Sequence, residues 1–243
     1  MSQPPRPEFD AHAPGYNAGM DNPLKAALGA SAEDYLAPKL AWLLREIPAL
    51  AGGGAPLDLL DYGCGTAALL RLMARRRLHA RLAGCDISPG MLAEAAATWP
   101  AEAGPLPRLE RQEGARTPFA DAGFDVVVIS AVLHHVSVAE RDEVYAELFR
   151  LLRPGGRVVV FEHNPRNPVT RYVVARTPID ANAILLDPRE AEAGLVAAGF
   201  PAPRTAYLMF APPRLPLAGL VDRAFGGWLP LGAQYAVRAV RPG

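Results

Sequence analysis

Lysine is almost missing from this chain: Lys25 and Lys39 are the only two among 25 basic residues, and the rest are arginines. Acidic residues also number 25, so the formal net charge is zero. Without an excess of one sign, nothing global draws the protein to nucleic acid or to an anionic membrane surface. Cysteine is as scarce, with only Cys64 and Cys85, which excludes a disulfide framework. No C-x-x-C or H-E-x-x-H spacing occurs, so no metal site is signalled. Both cysteines are expected as small buried side chains at the ends of central strands. No apolar run approaches the roughly 20 residues that span a bilayer. The start, MSQPPRPEFD, lacks the apolar core of a signal peptide. These absences predict a cytoplasmic protein with no membrane insertion.

What is present is a core-forming composition, 50% hydrophobic over 243 residues, enough for one elaborated domain. Ser31 to Leu50 reads as a helix, with Tyr35, Leu36, Leu40, Leu43, Leu44 and Ile47 at helical spacing. Strand and helix signals then alternate. LDLLD is a buried strand and Thr66 to Arg77 a helix. RLAGCD is a strand, followed by Ser88-Pro89, a cap with proline at the first helical position, and a helix through Trp99. RLERQE and the continuous apolar FDVVVIS are further strands. Ser137 and Glu140 predict a capping box for a helix through Leu152, stopped by Pro154-Gly155-Gly156. RVVVFEH is a fifth strand, Asp187 to Glu190 cap another helix, and RTAYLMF and AQYAVRAVR are two late strands. Such alternation predicts an α/β fold, a doubly wound, mostly parallel sheet that binds ligands at the carboxyl ends of its strands. One domain over 1–243 is expected, with a helical cap over 1–50. The segments 164–186 and 211–232 do not fit the bare sheet and are expected as substrate-side insertions.

The stretch LDLLDYGCGTAALL carries the chemistry. Gly63 and Gly65 let a ligand approach the backbone, and a helix N-terminus opens behind them. Gly63 to Ala68 fits G-x-G-x-x-A, and Asp86 follows about 20 residues on, as in dinucleotide-binding turns. Locally, NAD and other adenosine cofactors remain equal readings.

The order of DYGCGT, CDISPGML, RTPF, FDVVVISAVLHHV and LFRLLRPGGRVVV resembles the class I S-adenosylmethionine-dependent methyltransferase family. The resemblance runs from about Phe9 to the C-terminus and is tightest from Leu57 to Glu162. It implies a Rossmann-like, seven-stranded sheet with an antiparallel last strand, and S-adenosyl-L-methionine as cofactor. It also implies roles. Asp61, Gly63, Gly65 and Ser130 would face the methionine end, and Asp86 the ribose hydroxyls. Ile87 would lie along adenine, and Glu113 with Gly114 would meet its edge. Tyr16, in FDAHAPGY, would close over the cofactor. Two departures stand out: Ala67 replaces a third glycine, and Gln112-Glu113 replaces the usual Gly-Asp.

Methyl transfer from a sulfonium is an in-line displacement, so alignment is the main task. A hydroxyl acceptor also benefits from a base. His134 and His135 follow the fourth strand and His163 the fifth, where an imidazole would serve. The arrangement is similar to sugar O-methyltransferases: His134 or His135 is the expected base, with His163 or Glu162 its partner or a substrate contact. The expected activity is methyl transfer to a small-molecule acceptor, most simply a hydroxyl oxygen, releasing S-adenosylhomocysteine. A non-catalytic cofactor-binding subunit and N- or C-methylation are the alternatives. No nucleic-acid partner is expected, because Asn164 to Pro168 follows the wrong strand for an amine-methylating N-P-P-Y box. Arg75 to Arg77 suit a helix C-terminus. Arg166, Arg171 and Arg176 are read as surface residues, with an anionic acceptor as the alternative. A homodimer is compatible with all of this.

Overall fold

The computed structural model describes residues 32–243. Tyr16, Ser31 and the FDAHAPGY motif lie outside the described residues. Helix α1 (Ala32–Glu46) leads through a short turn into β1 (Leu57–Tyr62), α2 (Ala68–Arg75), β2 (Ala80–Asp86), α3 (Pro89–Ala97) and β3 (Arg108–Arg111). The second half runs β4 (Phe124–Ser130), α4 (Arg141–Leu151), β5 (Leu152–His163), α5 (Pro168–Val174), α6 (Pro188–Ala197), β6 (Arg204–Leu208), α7 (Ala218–Phe225) and β7 (Gln234–Val240).

All seven strands form one sheet in the order β3-β2-β1-β4-β5-β7-β6. Within it β7 runs antiparallel to both neighbours, β5 and β6, and the other pairs are parallel. Alternating residues divide the core between the two faces, as the two-residue period of a strand requires. Leu60, Tyr62, Val127, Ile129, Val158 and Val160 pack with Tyr145 and Leu148 of α4 and Leu195 of α6. Leu59, Val126, Val128, Val159 and Phe161 pack with Trp42 and Leu43 of α1 and Leu70 and Met73 of α2. Cys64 and Cys85 are buried and free. Among the described residues no helix is long and apolar enough to cross a membrane.

Local signals set the element starts. The Ser88 hydroxyl accepts from the Met91 N–H, with Pro89 in the first turn. Asp187 and Glu190 form a reciprocal capping box on α6. The box expected at Ser137 does not form. A single 3-10 turn spans Val138–Glu140, and the Ser137 hydroxyl bonds the Glu140 carboxylate at 2.6 Å, not the backbone. Pro154-Gly155-Gly156 does not precede β5 but lies within it. Leu152 already pairs with Phe124, and Gly155 and Gly156 bond the backbone of Arg241.

Candidate functional site

The parallel strands β1, β2, β4 and β5 end on one edge of the sheet, and the turns after them hold the conspicuous polar residues. After β1 the chain reverses through Gly63 and Gly65, with φ of +73° and +51°. The N–H groups of Gly63 and Cys64 both donate to the Cys85 carbonyl at 2.8 Å, which ties the turn to β2. Asp86 completes the tie: one carboxylate oxygen accepts from the Gly65 N–H at 2.8 Å and the other from the Ser88 N–H at 2.9 Å. Ala67, where a glycine is more usual, is fully buried with φ +59°.

A Cβ added to Gly63 would stand 2.5 Å from Val132 Cγ2. The glycine turn and the loop after β4 therefore share a wall, and only glycine fits there. A Cβ at Gly65 would meet nothing.

Two buried side chains of opposite charge adjoin this turn. Asp61 is 2% exposed, and burial pushes its carboxyl up to about 7, Lys39 opposing the rise and Asp86 adding to it. Lys39, from α1, is 4% exposed and donates to the Ser130 hydroxyl at 2.8 Å. An α-amino acid end with one cation and one anion matches this pair. Sequence reasoning passed over Lys39, although it sits three residues after Leu36 and four before Leu43, on the apolar face of its helix. The residues thus fit S-adenosylmethionine at the positions the resemblance implies for Asp61, Gly63, Gly65, Asp86 and Ser130. Ile87 is exposed at the head of this region. The Glu113 side chain is exposed, and its backbone pairs with Arg116 around Gly114. The buried side chain of that turn is Gln112, whose amide nitrogen bonds the Gly114 carbonyl.

Across the edge stand the histidines. His134 and His135 lie on a 3-10 turn, Leu133–His135, after β4. The rings of His134 and His135 are 4.1 Å apart, and those of His134 and His163 5.0 Å. Sequence reasoning brought the three together correctly. Glu162, the last buried residue of β5, organises them. It accepts from the Val132 and Leu133 N–H groups at 3.0 and 2.7 Å, and its second oxygen lies 2.6 Å from His134 Nδ1. Burial pushes both members of this pair toward neutrality, but their mutual attraction outweighs it. Glu162 is held below the usual carboxylate range and His134 above the usual imidazole range. Burial and the neighbouring His134 hold His163 low.

Asp180 is the residue that no local signal announced. It ends a 3-10 turn, Pro178–Asp180, inside the segment 164–186. One of its oxygens stands 3.6 Å from Nε2 of both His134 and His135. The segment is fastened there by backbone, since the Ile184 N–H donates to the His134 carbonyl at 2.7 Å. Arg141, buried at the start of α4, donates to the carbonyls of Leu133, Val136 and Ile184 and clamps both pieces. Beside Asp180 opens a cavity of about 510 Å³, bordered by Arg171, Tyr172 and Leu185. Arg166 is committed elsewhere, paired through two bonds to Asp187, and Arg176 stacks on Tyr172 at 3.6 Å. His79 lies apart, against the Gly54 carbonyl.

Residues 60–160 match a family described as a methyltransferase domain. A demethylmenaquinone methyltransferase of Thermus thermophilus is 36% identical, over 52% of this chain and 56% of that protein. A malonyl-[acyl-carrier protein] O-methyltransferase of Herminiimonas arsenicoxydans is 37% identical, over 52% of this chain and 42% of that protein. The chain thus spans about half the length of the curated relatives it matches. Among solved structures, a SAM-dependent methyltransferase from Thermotoga maritima superposes with a TM-score of 0.68 at 14% identity, covering 96% of this chain and 98% of the other. A phosphoethanolamine N-methyltransferase of Haemonchus contortus, in complex with S-adenosylhomocysteine, gives 0.63 at 16% identity, over 96% and 58%. These two likenesses speak for the fold.

Proposed function

The chain carries a class I S-adenosylmethionine-dependent methyltransferase domain, and on that premise we propose that it transfers the methyl group of S-adenosylmethionine to a hydroxyl oxygen of a small-molecule acceptor. The O–H and S–CH3 bonds break and an O–CH3 bond forms, so the products are S-adenosylhomocysteine, a methyl ether and the hydroxyl proton, which passes to an imidazole or to solvent. The observation that carries this reading is the direct contact between the Gly63 turn and the loop that holds His134 and His135. It supports a cofactor at the glycine turn beside imidazoles on the adjoining turn of the same sheet edge.

In this reading Asp61 meets the cofactor's ammonium, Lys39 its carboxylate, and Asp86 its ribose hydroxyls, by charge-assisted bonds. The backbone at Gly65 gives the cofactor close approach, while Ile87, Glu113 and Gly114 border the adenine. On the other side His134, His135 and His163 meet the acceptor. An imidazole nitrogen takes the hydrogen bond of the acceptor hydroxyl and so turns an oxygen lone pair toward the methyl. Alignment of this kind is the largest contribution an enzyme makes to a displacement on an already activated carbon. His135, with a side chain 16% exposed against 1% for His134, is the nearer of the pair to an incoming molecule. The segments 164–186 and 211–232 wall the acceptor side, the first through Asp180. Transfer to carbon is the second reading, favoured by relatives named as menaquinone-pathway methyltransferases.

The test is S-adenosylhomocysteine formation by the purified chain with a panel of hydroxylated small molecules. Cofactor-dependent product bearing a new methoxy group supports the proposal. Tight cofactor binding with no turnover on any acceptor would return the chain to a cofactor-binding subunit.

A further inference from the structure

Three ligand-type atoms converge where His134, His135 and Asp180 meet. We propose that this cluster binds one divalent transition-metal ion, zinc being the best match, in a two-histidine, one-carboxylate site. The donors are Nε2 of His134, Nε2 of His135 and a carboxylate oxygen of Asp180. Their candidate ligand atoms all lie within 4.8 Å of one another.

The spacing is the first argument. Tetrahedral zinc with bonds of about 2.0–2.1 Å holds its ligands roughly 3.4 Å apart. Asp180 stands 3.6 Å from each imidazole nitrogen, too far for a hydrogen bond and within a few tenths of an ångström of a shared cation. The second argument is the orientation of His134. Glu162 lies 2.6 Å from its Nδ1, which fixes the ring with Nε2 turned toward Asp180, where a cation can take the place of the proton on that nitrogen. That nitrogen is buried with no hydrogen-bond partner among the described residues, and it points at Asp180. A carboxylate behind a ligating imidazole is the usual outer shell of a metal site. Here the carboxylate is itself fixed by two backbone N–H groups. The third argument is the donor set. Two imidazoles and one carboxylate suit borderline cations, and three protein ligands leave a fourth position for an exogenous oxygen. Asp180 also borders the cavity of about 510 Å³ that faces solvent.

The use of such an ion rests on the proposed function: it would hold an oxygen of the acceptor where a hydrogen bond to imidazole otherwise would. Its existence does not rest on that function. The two are separated by measuring binding without turnover. The full chain, stripped with a chelator, is titrated calorimetrically with Zn2+, and with Co2+ while its visible spectrum is recorded. One ion per chain and the absorption of a four-coordinate nitrogen–oxygen cobalt site are expected. His135→Ala and Asp180→Ala lose this binding yet still bind S-adenosylhomocysteine, which reports an intact fold. Glu162→Gln weakens the ion by about 10–100-fold. The absence of a stoichiometric ion overturns the site, as does unchanged affinity in His135→Ala and Asp180→Ala. A chain that binds zinc but methylates no acceptor keeps the site and loses the function. Full turnover by a chain that binds no ion does the reverse.

Discussion

His134 and Glu162 form a buried couple, Nδ1 to carboxylate 2.6 Å, with each side chain 1% exposed. Removing one partner leaves the other's charge without compensation. His134→Ala is therefore expected to cost about 3–5 kcal/mol of stability, read as a lower midpoint in urea unfolding. His135→Ala removes no such partner from Glu162. It is expected to lower turnover far more than cofactor affinity, the two being compared by steady-state assay and calorimetry. Full activity in both variants would end the acceptor role of the pair.

In the proposed function Asp86 joins two tasks in one side chain. Asp86→Ala is expected to weaken S-adenosylmethionine binding by at least about tenfold, the value of one charge-assisted bond. It also frees the Gly65 and Ser88 N–H groups that the carboxylate now satisfies. Equilibrium titration of the variant decides, and unchanged affinity would remove Asp86 from the cofactor site.

The raised carboxyl of Asp61 gives a pH dependence whose sign can be stated. With its value near 7, the group is largely protonated in the free chain below neutrality. A cofactor ammonium favours the ionised form, so affinity is expected to rise from pH 6 to pH 8 and flatten above, by up to about tenfold per unit below the midpoint. Stability of the free chain responds the other way. The folded state holds a proton that the unfolded state releases between about pH 4 and 7, so this group's contribution falls with rising pH across that window. Asp61→Asn flattens both profiles, with Lys39 and Asp86 as the charged neighbours left in place.

The glycine turn contains one residue that suits its conformation and one that does not. Gly63→Ala would press a methyl group into Val132 at positive φ, and a loss of about 1–3 kcal/mol is expected. Ala67→Gly should act in the opposite direction, relieving φ +59° for a gain of up to about 1 kcal/mol. Thermal unfolding of the two variants measures both.

Arg141 is expected to matter without touching a ligand. Arg141→Met leaves the carbonyls of Leu133, Val136 and Ile184 without its guanidinium. The histidine turn and the segment 164–186 then lose their common clamp. Acceptor KM should rise while S-adenosylhomocysteine affinity, set on the opposite side, stays near that of the unmodified chain.

What the sequence revealed follows from which interactions are local. Buried strands such as FDVVVIS declare themselves by continuous apolar runs, the cap at Ser88 by the proline that follows it, and the cap at Asp187 by Glu190 three residues on. The glycine turn and Asp86 were legible because a strand–turn–helix unit is contiguous. The proximity of the histidines was legible because each follows a strand that was itself legible. Asp180 was hidden because its meaning depends on a fold-back of the segment 164–186 onto the 3-10 turn at Leu133–His135, more than 40 residues earlier. Glu162 was recognised as a neighbour of the histidines, but its three-way bonding needs the register of β4 against β5. At Ser137 the local pattern misled, because two exposed side chains found one another in place of the backbone.

The bond from Lys39 to Ser130 joins residues 91 positions apart. The proposed cofactor region is therefore assembled from pieces that meet only once α1 has docked and the β1–β4 pairing is complete. Such contacts are among the last a chain makes, since their loop-closure cost comes before their reward. A ligand that bridges them stabilises the finished domain and little that precedes it. Added cofactor should consequently slow unfolding and leave the refolding rate almost untouched, so that occupancy acts as a kinetic lock on the domain.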